Sequence, residues 1–161
     1  MELGFALALN AATCIDDLDA LLPLVRPDDT IVLGPRDRDV LGAVNVPSIA
    51  SAVTFHDDRA LLATDLVTTS QALMRQLHAA ATHWWFHLDL DVLATRSFPA
   101  VRYPQPGGLS WPHIGTITDA VLKTPGLIGW NITIYNPDLD FDGSGAVRIV
   151  TFLETMLNAR S

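Results

Sequence analysis

The segment His87-Leu88-Asp89-Leu90-Asp91 closes the apolar run Trp84-Trp85-Phe86 and delivers two carboxylates to one point of the chain. In an extended strand successive side chains alternate faces. His87, Asp89 and Asp91 are therefore expected on one side, with Phe86, Leu88 and Leu90 on the other. Two ionised carboxylates about 6 Å apart repel by roughly 3 kcal/mol at an effective dielectric near 20. A cation, a basic side chain or a shared proton must offset that repulsion, and a divalent metal does so most simply. Carboxylate oxygens suit hard to borderline divalent ions, but two protein ligands leave most of the coordination sphere to water, so this pair alone should bind weakly. The competing reading is a strand end at which both acids are simply solvated.

Other polar residues each admit a chemical and a plain structural role. His87 shares the predicted face of the aspartates and could hydrogen-bond a metal ligand from behind. His56 follows a candidate strand and could reach the same rim, although a capping or surface role is the commoner outcome. His78, His83 and His113 show no metal-ligand spacing. Asp138-Leu139-Asp140-Phe141-Asp142-Gly143 copies the first half of a calcium-binding loop, but Ile149 stands where a bidentate Glu is required. A turn capping the last helix through Asp142 or Ser144 is the stronger reading there.

These groups need a scaffold, and the chain is large enough to build one. At 161 residues it fits a single domain that hides roughly 70% of its extended surface. Hydrophobic residues make up 49% and charged residues 17%, which excludes a disordered, linker-like chain. The formal charge of −8, with no basic stripe, argues against nucleic acid. The opening Met1 to Ala12 carries Glu2 where a secretory signal would carry Lys or Arg, and it is too short to span a bilayer, so it reads as mature protein that begins in mid-fold. No membrane partner is expected. The one cysteine, Cys14, rules out an intrachain disulfide and fits a reducing compartment, which makes the cytoplasm the expected location.

Periodicity then places the elements. A first helix is expected near 14–24, opened by Thr13 and Asp16. Thr30 to Gly34 and Ala52 to Phe55 read as strands, and Arg59 to His78 as one helix with Leu66, Leu73, Met74 and Leu77 on its apolar face. The Trp-rich strand follows. A helix then starts at Ser110 and runs to Lys123, a strand covers Leu127 to Tyr135, and a last helix starts at about Gly145. Strands alternating with helices predict an α/β fold in three α/β/α layers with a mostly parallel sheet covered on both faces. Ligands of such sheets bind beyond the carboxyl ends of the strands. Asp89 and Asp91, Arg36 and Asp37, His56 and Asp57, and Asn136 all lie at such ends.

The run from His87 through Asp89, Asp91, Pro99-Ala100 and Gly107-Gly108-Leu109-Ser110 resembles the third signature of the ureohydrolases, the arginase and agmatinase family, with Thr95 where the first Pro is usual. Val32-Leu33-Gly34-Pro35-Arg36-Asp37 looks like the family's Ile-Gly-x-Arg-Asp strand end, and Asn136-Pro137-Asp138-Leu139-Asp140 like its Asn-Pro-x-Leu-Asp tail. Leu3 to Asn10 is similar to the apolar helix that follows the family's first two metal motifs. The resemblance spans nearly all of this chain but only the carboxyl-terminal half of a family member, giving a partial arginase-like fold.

The resemblance implies hydrolysis of a guanidino or related C–N bond at a two-manganese centre, with Asp89 and Asp91 as two of its six ligands. The other four belong to upstream Gly-Gly-Asp-His and Asp-Ala-His-x-Asp motifs that this sequence does not contain. Ile134 stands where the family holds an acidic residue against the substrate's cationic group, His113 near a usual Glu, and Asn131 where an Asp commonly begins the last strand pattern. His87, His56, His113 and Asn136 remain candidates for positions beside the metal ligands or the substrate.

Two expectations follow. Either the chain takes part in manganese-dependent hydrolysis once a complementary N-terminal-half chain restores the site, with negligible turnover alone, or it is a non-catalytic ureohydrolase-derived interaction or scaffold subunit. Both imply an oligomer, because half of an open parallel sheet exposes an edge and an apolar face. A nucleotide-sugar transferase also uses Asp-x-Asp, but it does not account for the proline and glycine spacing that follows.

Overall fold

The structure is a computed structural model, and it describes residues 2–9, 16–43 and 48–159. The elements run α1 Glu2–Ala6, α2 Asp16–Asp19, β1 Ile31–Leu33, α3 Arg38–Ala43, β2 Thr54–His56, α4 Asp58–Leu62, α5 Leu66–Ala80, β3 Trp84–Asp89, α6 Trp111–Lys123, β4 Leu127–Thr133 and α7 Ser144–Asn158. Single 3-10 turns occupy Pro27–Asp29, Ile49–Ser51, Leu90–Val92 and Pro137–Leu139. The residues that would open the first helix at Thr13 lie outside the described residues, as does Cys14.

The strands pair in parallel throughout, as the alternation of strands and helices requires. β1 pairs with β2, Val32 opposite Phe55, and β3 pairs with β4, Phe86 opposite Trp130 and Asp89 opposite Thr133. A further parallel bridge joins Leu93 to Leu109. On β3 and β4 one face, carrying Trp84, Phe86, Leu88, Trp130 and Ile132, enters the core with Leu73, Met74 and Leu77 of α5 and Ile114, Ile117 and Val121 of α6. Phe86 stacks on Trp130 at a centroid distance of 5.8 Å. On the opposite face Trp85 is 57% exposed and His87 is exposed beside it.

Three boundaries depart from the periodic reading. The first helix, expected near 14–24, ends at Asp19 in the described residues. The single helix expected over 59–78 is two, α4 and α5, because Asp57 and Asp65 each act as a helix start. Asp57 Oδ1 accepts from Ala60 N at 2.8 Å, the short-range bonding that favours Asp at caps, while Asp65, the residue before α5, accepts from the Thr68 hydroxyl. The last strand ends at Thr133 and not at Tyr135, since Ile134 adopts φ +68° and breaks the extended run.

The loop between β3 and α6 is packed as tightly as any element. Leu90, Leu93 and Leu109 are fully buried and Phe98 is 1% exposed, its ring edge-on to Trp111 at 5.8 Å. Leu109 N donates to Val92 O and Ala94 N to Leu109 O, each at 2.8 Å, which fastens Gly107-Gly108-Leu109 alongside the end of β3. Gly108 allows this approach with φ +99° and no side chain where Ala94 N lies 2.6 Å from a would-be Cβ.

Candidate functional site

β3 ends at Asp89, and the face-sharing expected of Asp89 and Asp91 in a continuous strand does not apply. Asp89 instead caps the 3-10 turn Leu90–Val92, its Oδ1 accepting from Asp91 N at 2.8 Å, while Leu90 turns into the core. A one-turn bend keeps the two acids together in place of strand alternation. Their repulsion is visible in Asp91, whose carboxyl is pushed above the usual carboxylate range by burial first and by the charge of Asp89 second, against the opposing pull of Arg36. Asp91 Oδ1 is buried and accepts no hydrogen bond.

The ends of β1 and β2 supply the surroundings. After β1, Arg36 Nη1 donates to Gln105 O at 2.6 Å and more weakly to Gly107 O at 3.3 Å. Burial lowers the Arg36 pKa, while the charges of Asp91, Asp58 and Asp89 raise it. After β2, Asp57 pairs with Arg38, and the buried Asp58 accepts from Gly108 N at 2.8 Å and from Arg59 N at 2.9 Å. Asp58 was not among the sequence candidates. Its signal was present in the polar end His56-Asp57-Asp58, where strand ends gather polar groups, but nothing local distinguished it from a helix cap.

The remaining candidates each have bonding partners other than the acid pair. His87 hydrogen-bonds Asn131 and Thr133 across the β3–β4 ladder, with Asn131 Nδ2 at 3.0 Å from His87 Nδ1 and Thr133 Oγ1 at 3.3 Å from His87 Nε2. Trp85 Nε1 donates to Asn131 Oδ1 at 2.6 Å, so Trp85, His87, Asn131 and Thr133 form one strip on the exposed sheet face. His56 ends β2, its carbonyl accepting from Gly34 N at 2.8 Å. His113 closes a reciprocal cap at the start of α6, Nδ1 accepting from Ser110 N at 3.2 Å. Asn136 caps the turn Pro137–Leu139, with Oδ1 accepting from Asp138 N at 3.0 Å. The calcium-like loop caps the last helix, but chiefly through Asp140 and not the expected Asp142 or Ser144: Asp140 accepts from Gly145 N and Ala146 N at 2.9 Å and from Tyr135 Oη at 2.8 Å, while Asp142 accepts from Ser144 N.

Among the described residues no group of three or more His, Cys, Asp or Glu is placed to hold a metal ion. The donors at Asp89 and Asp91 nevertheless fit part of a divalent-ion site: two carboxylates at one strand end, one with a buried oxygen that nothing satisfies. A cleft of about 470 Å³ lined by Phe98, Ser110, Trp111, Asp140, Ser144 and Arg148 lies elsewhere, and its carboxylate is spent on capping α7.

No helix of the described residues is long and apolar enough to cross a membrane. Among curated proteins no match is found. Among solved structures the chain is similar to arginase from Bacillus caldovelox, with 16% identity and a TM-score of 0.77 over 94% of this chain and 50% of that one. Helicobacter pylori arginase gives 18% identity and a TM-score of 0.72 over 99% and 57%. A hypothetical agmatinase from Burkholderia thailandensis gives 18% and 0.66 over 93% and 48%. The chain thus has the arginase-like α/β fold over about half the length of these structures. The model of the arginase family matches residues 10–158, so that the Asp-x-Asp turn, the Gly-Gly-Leu loop and the Asn-Pro tail all fall inside the matched span, and the chain belongs to the arginase family.

Proposed function

We propose that this chain supplies Asp89 and Asp91 to a ureohydrolase-type manganese site whose remaining ligands come from outside the described residues, and that it thereby takes part in hydrolysis of a guanidino or related C–N bond. The observation that carries the reading is the unsatisfied, buried Asp91 Oδ1 beside Asp89 at the carboxyl end of a parallel strand. A buried acceptor without a partner costs about 1–3 kcal/mol, more when charged, and a bound cation removes that cost. When present, a divalent ion supplies Lewis acidity and a more acidic water. The chain's own contribution is to fix two carboxylates in one turn and to brace that turn with the Gly107-Gly108-Leu109 loop.

Two carboxylates cannot by themselves orient the reaction, so turnover requires a complementary half bearing the missing His and Asp donors. Calorimetric titration with Mn2+ tests the reading: heat that disappears in Asp89→Asn and Asp91→Asn supports it, and identical traces for the three proteins reject it. Urea release from arginine or agmatine by the isolated chain is expected to be negligible.

A second reading, a non-catalytic interaction subunit, draws on the exposed β3–β4 face and on Ile134, which offers no charge where the family holds an acidic residue. The Trp85 ring lies against Gly129 with its indole N–H already satisfied by Asn131, an exposed aromatic surface of the kind partners use. Under this reading the chain self-associates or binds a partner without site-dependent Mn2+ heat.

A further inference from the structure

Asp58, at the start of α4, is a charged residue only 6% exposed. Its two oxygens serve different elements: Oδ1 accepts from Arg59 N at 2.9 Å within the helix, and Oδ2 accepts from Gly108 N at 2.8 Å, 50 residues along the chain. The second bond depends on a loop bare of side chains. Gly107 and Gly108 stand at φ +82° and +99°, and a Cβ on Gly107 would lie 2.5 Å from Asp58 Oδ2. The peptides that follow Gly108 continue the connection, since Leu109 N donates to Val92 O and Leu109 O accepts from Ala94 N, both at 2.8 Å. Val92 ends the 3-10 turn that carries Asp91, and Asp89 Oδ1 closes that turn on Asp91 N. A line of short hydrogen bonds therefore runs from a buried carboxylate to the acid pair. The adjacent Asp57 is just as enclosed, at 7% exposed, but its oxygens go to Ala60 N and Arg38 instead.

We infer that Asp58 is a positioning residue for Asp89 and Asp91: it anchors Gly108 and, through Leu109, sets where the turn holding the two acids comes to rest. Among the described residues it joins no metal-holding group with them, so its part is to hold the loop and not the ion. A carboxylate suits the task because both of its oxygens face N–H donors, and only an acceptor-only group satisfies both; an amide would turn its own N–H against one of them. Bonds from a backbone N–H to an ionised acceptor are the stronger kind, and burial keeps water from competing for them. This deepens the proposed metal reading and rests on it only for the metal arm of the test below; the anchoring of the turn is measured without any ion.

The experiment compares wild type, Asp58→Asn, Gly107→Ala and Asp57→Asn as full chains. Native-state amide hydrogen exchange in chelator is read at Leu109, Ala94 and Asp91 against the amides of α5 and α6, which report global opening. Asp58→Asn and Gly107→Ala are expected to speed exchange at those three amides roughly tenfold or more beyond any change in the helices, the factor carried by one hydrogen bond to a charged acceptor. Asp57→Asn, which disturbs a cap and an ion pair at the same helix start, is expected to leave the ratio of loop to helix rates unchanged. An unchanged ratio in Asp58→Asn overturns the inference, as does an equal rise in Asp57→Asn, and Gly107→Ala decides it if Asp58→Asn fails to fold. Calorimetric titration with Mn2+ follows, with Asp91→Asn as the site control. Site-dependent affinity weakened roughly tenfold in both Asp58→Asn and Gly107→Ala, with Asp57→Asn like wild type, supports positioning. A loss in Asp58→Asn alone is an effect of charge and overturns it, as does wild-type affinity in both variants. If no heat separates wild type from Asp91→Asn, the metal site is rejected and the exchange rates decide the anchoring by themselves.

Discussion

Replacing Gly108 with alanine forces the loop that braces the acid pair to pay twice. Its φ of +99° lies where an L side chain is strained, at a cost of about 1–3 kcal/mol. The added Cβ would also sit 2.6 Å from Ala94 N, 2.8 Å from Ala94 Cα and 2.9 Å from Leu93 C. All three are backbone atoms with no rotamer to retreat into, so the loop itself must lift. Lifting it weakens the 2.8 Å bond from Gly108 N to Asp58 and the paired bonds of Leu109 with Val92 and Ala94. A bond to a charged acceptor contributes about 1.5–3 kcal/mol and a neutral one about 1. With only part of these lost, the expected destabilisation is about 4 kcal/mol, a large share of the roughly 5–15 kcal/mol available to a folded domain. Urea unfolding followed by circular dichroism should show the midpoint falling by about 2 M at an m-value near 2 kcal/mol/M. Gly42→Ala is the control, since a Cβ there meets nothing within 4 Å inside α3 and should raise stability by about 0.5–1 kcal/mol. A Gly108→Ala chain within about 1 kcal/mol of wild type would refute the account of this loop as a backbone contact that only glycine permits.

Ile134, a β-branched residue at φ +68° and 45% exposed, should gain roughly 0.5–1 kcal/mol on replacement by Asn, which tolerates the left-handed region; a loss in urea unfolding contradicts this. Gly129→Ala drives a Cβ into the Trp85 ring and should free that indole from Asn131, costing about 1 kcal/mol and shifting tryptophan emission, whereas an unchanged spectrum rules out this contact. Asp140 is held below the ordinary carboxylate range by the backbone N–H groups of Gly145 first and Ala146 next, with Tyr135 adding to them. A depressed carboxylate stabilises the fold above its unfolded pKa and loses that contribution as pH falls through its folded value. The stability advantage of wild type over Asp140→Asn is accordingly full at neutral pH and shrinks on acidification below the usual Asp range, and a difference that stays constant to low pH disproves it.

The parallel fold and the location of the acid pair could be read from residue order alone, because Leu66, Leu73, Met74 and Leu77 keep helical spacing and Trp84 to Leu88 alternate. What escaped that reading was decided by contacts distant in sequence or by caps. Asp65 looked like one polar position within a helical repeat, yet it starts a new helix. Asp91 looked like the next residue of a strand face, yet Asp89 captures its amide and turns the chain. Arg36 was visible as a strand-end residue, but its bonds to the carbonyls of Gln105 and Gly107 depend on a loop 69 to 71 positions further on. His113 and Asn136 were suggestive as polar groups near the right motifs, and their side chains are engaged in caps.

The ladder partners Trp84 and Leu127 are separated by 43 residues, with α6 made in between. During synthesis at about 5–20 residues per second, β3 leaves the ribosome roughly 2–9 s before the strand that completes it. Throughout that interval Trp84, Phe86 and Leu88 have α5 to lean on but lack the β4 ladder, and non-local parallel pairing forms slowly in any case. Nascent chains of this protein therefore present a sticky, tryptophan-rich segment long enough for chaperone capture, and yield in a heterologous host should respond to translation speed and chaperone supply more than to the stability of the finished fold.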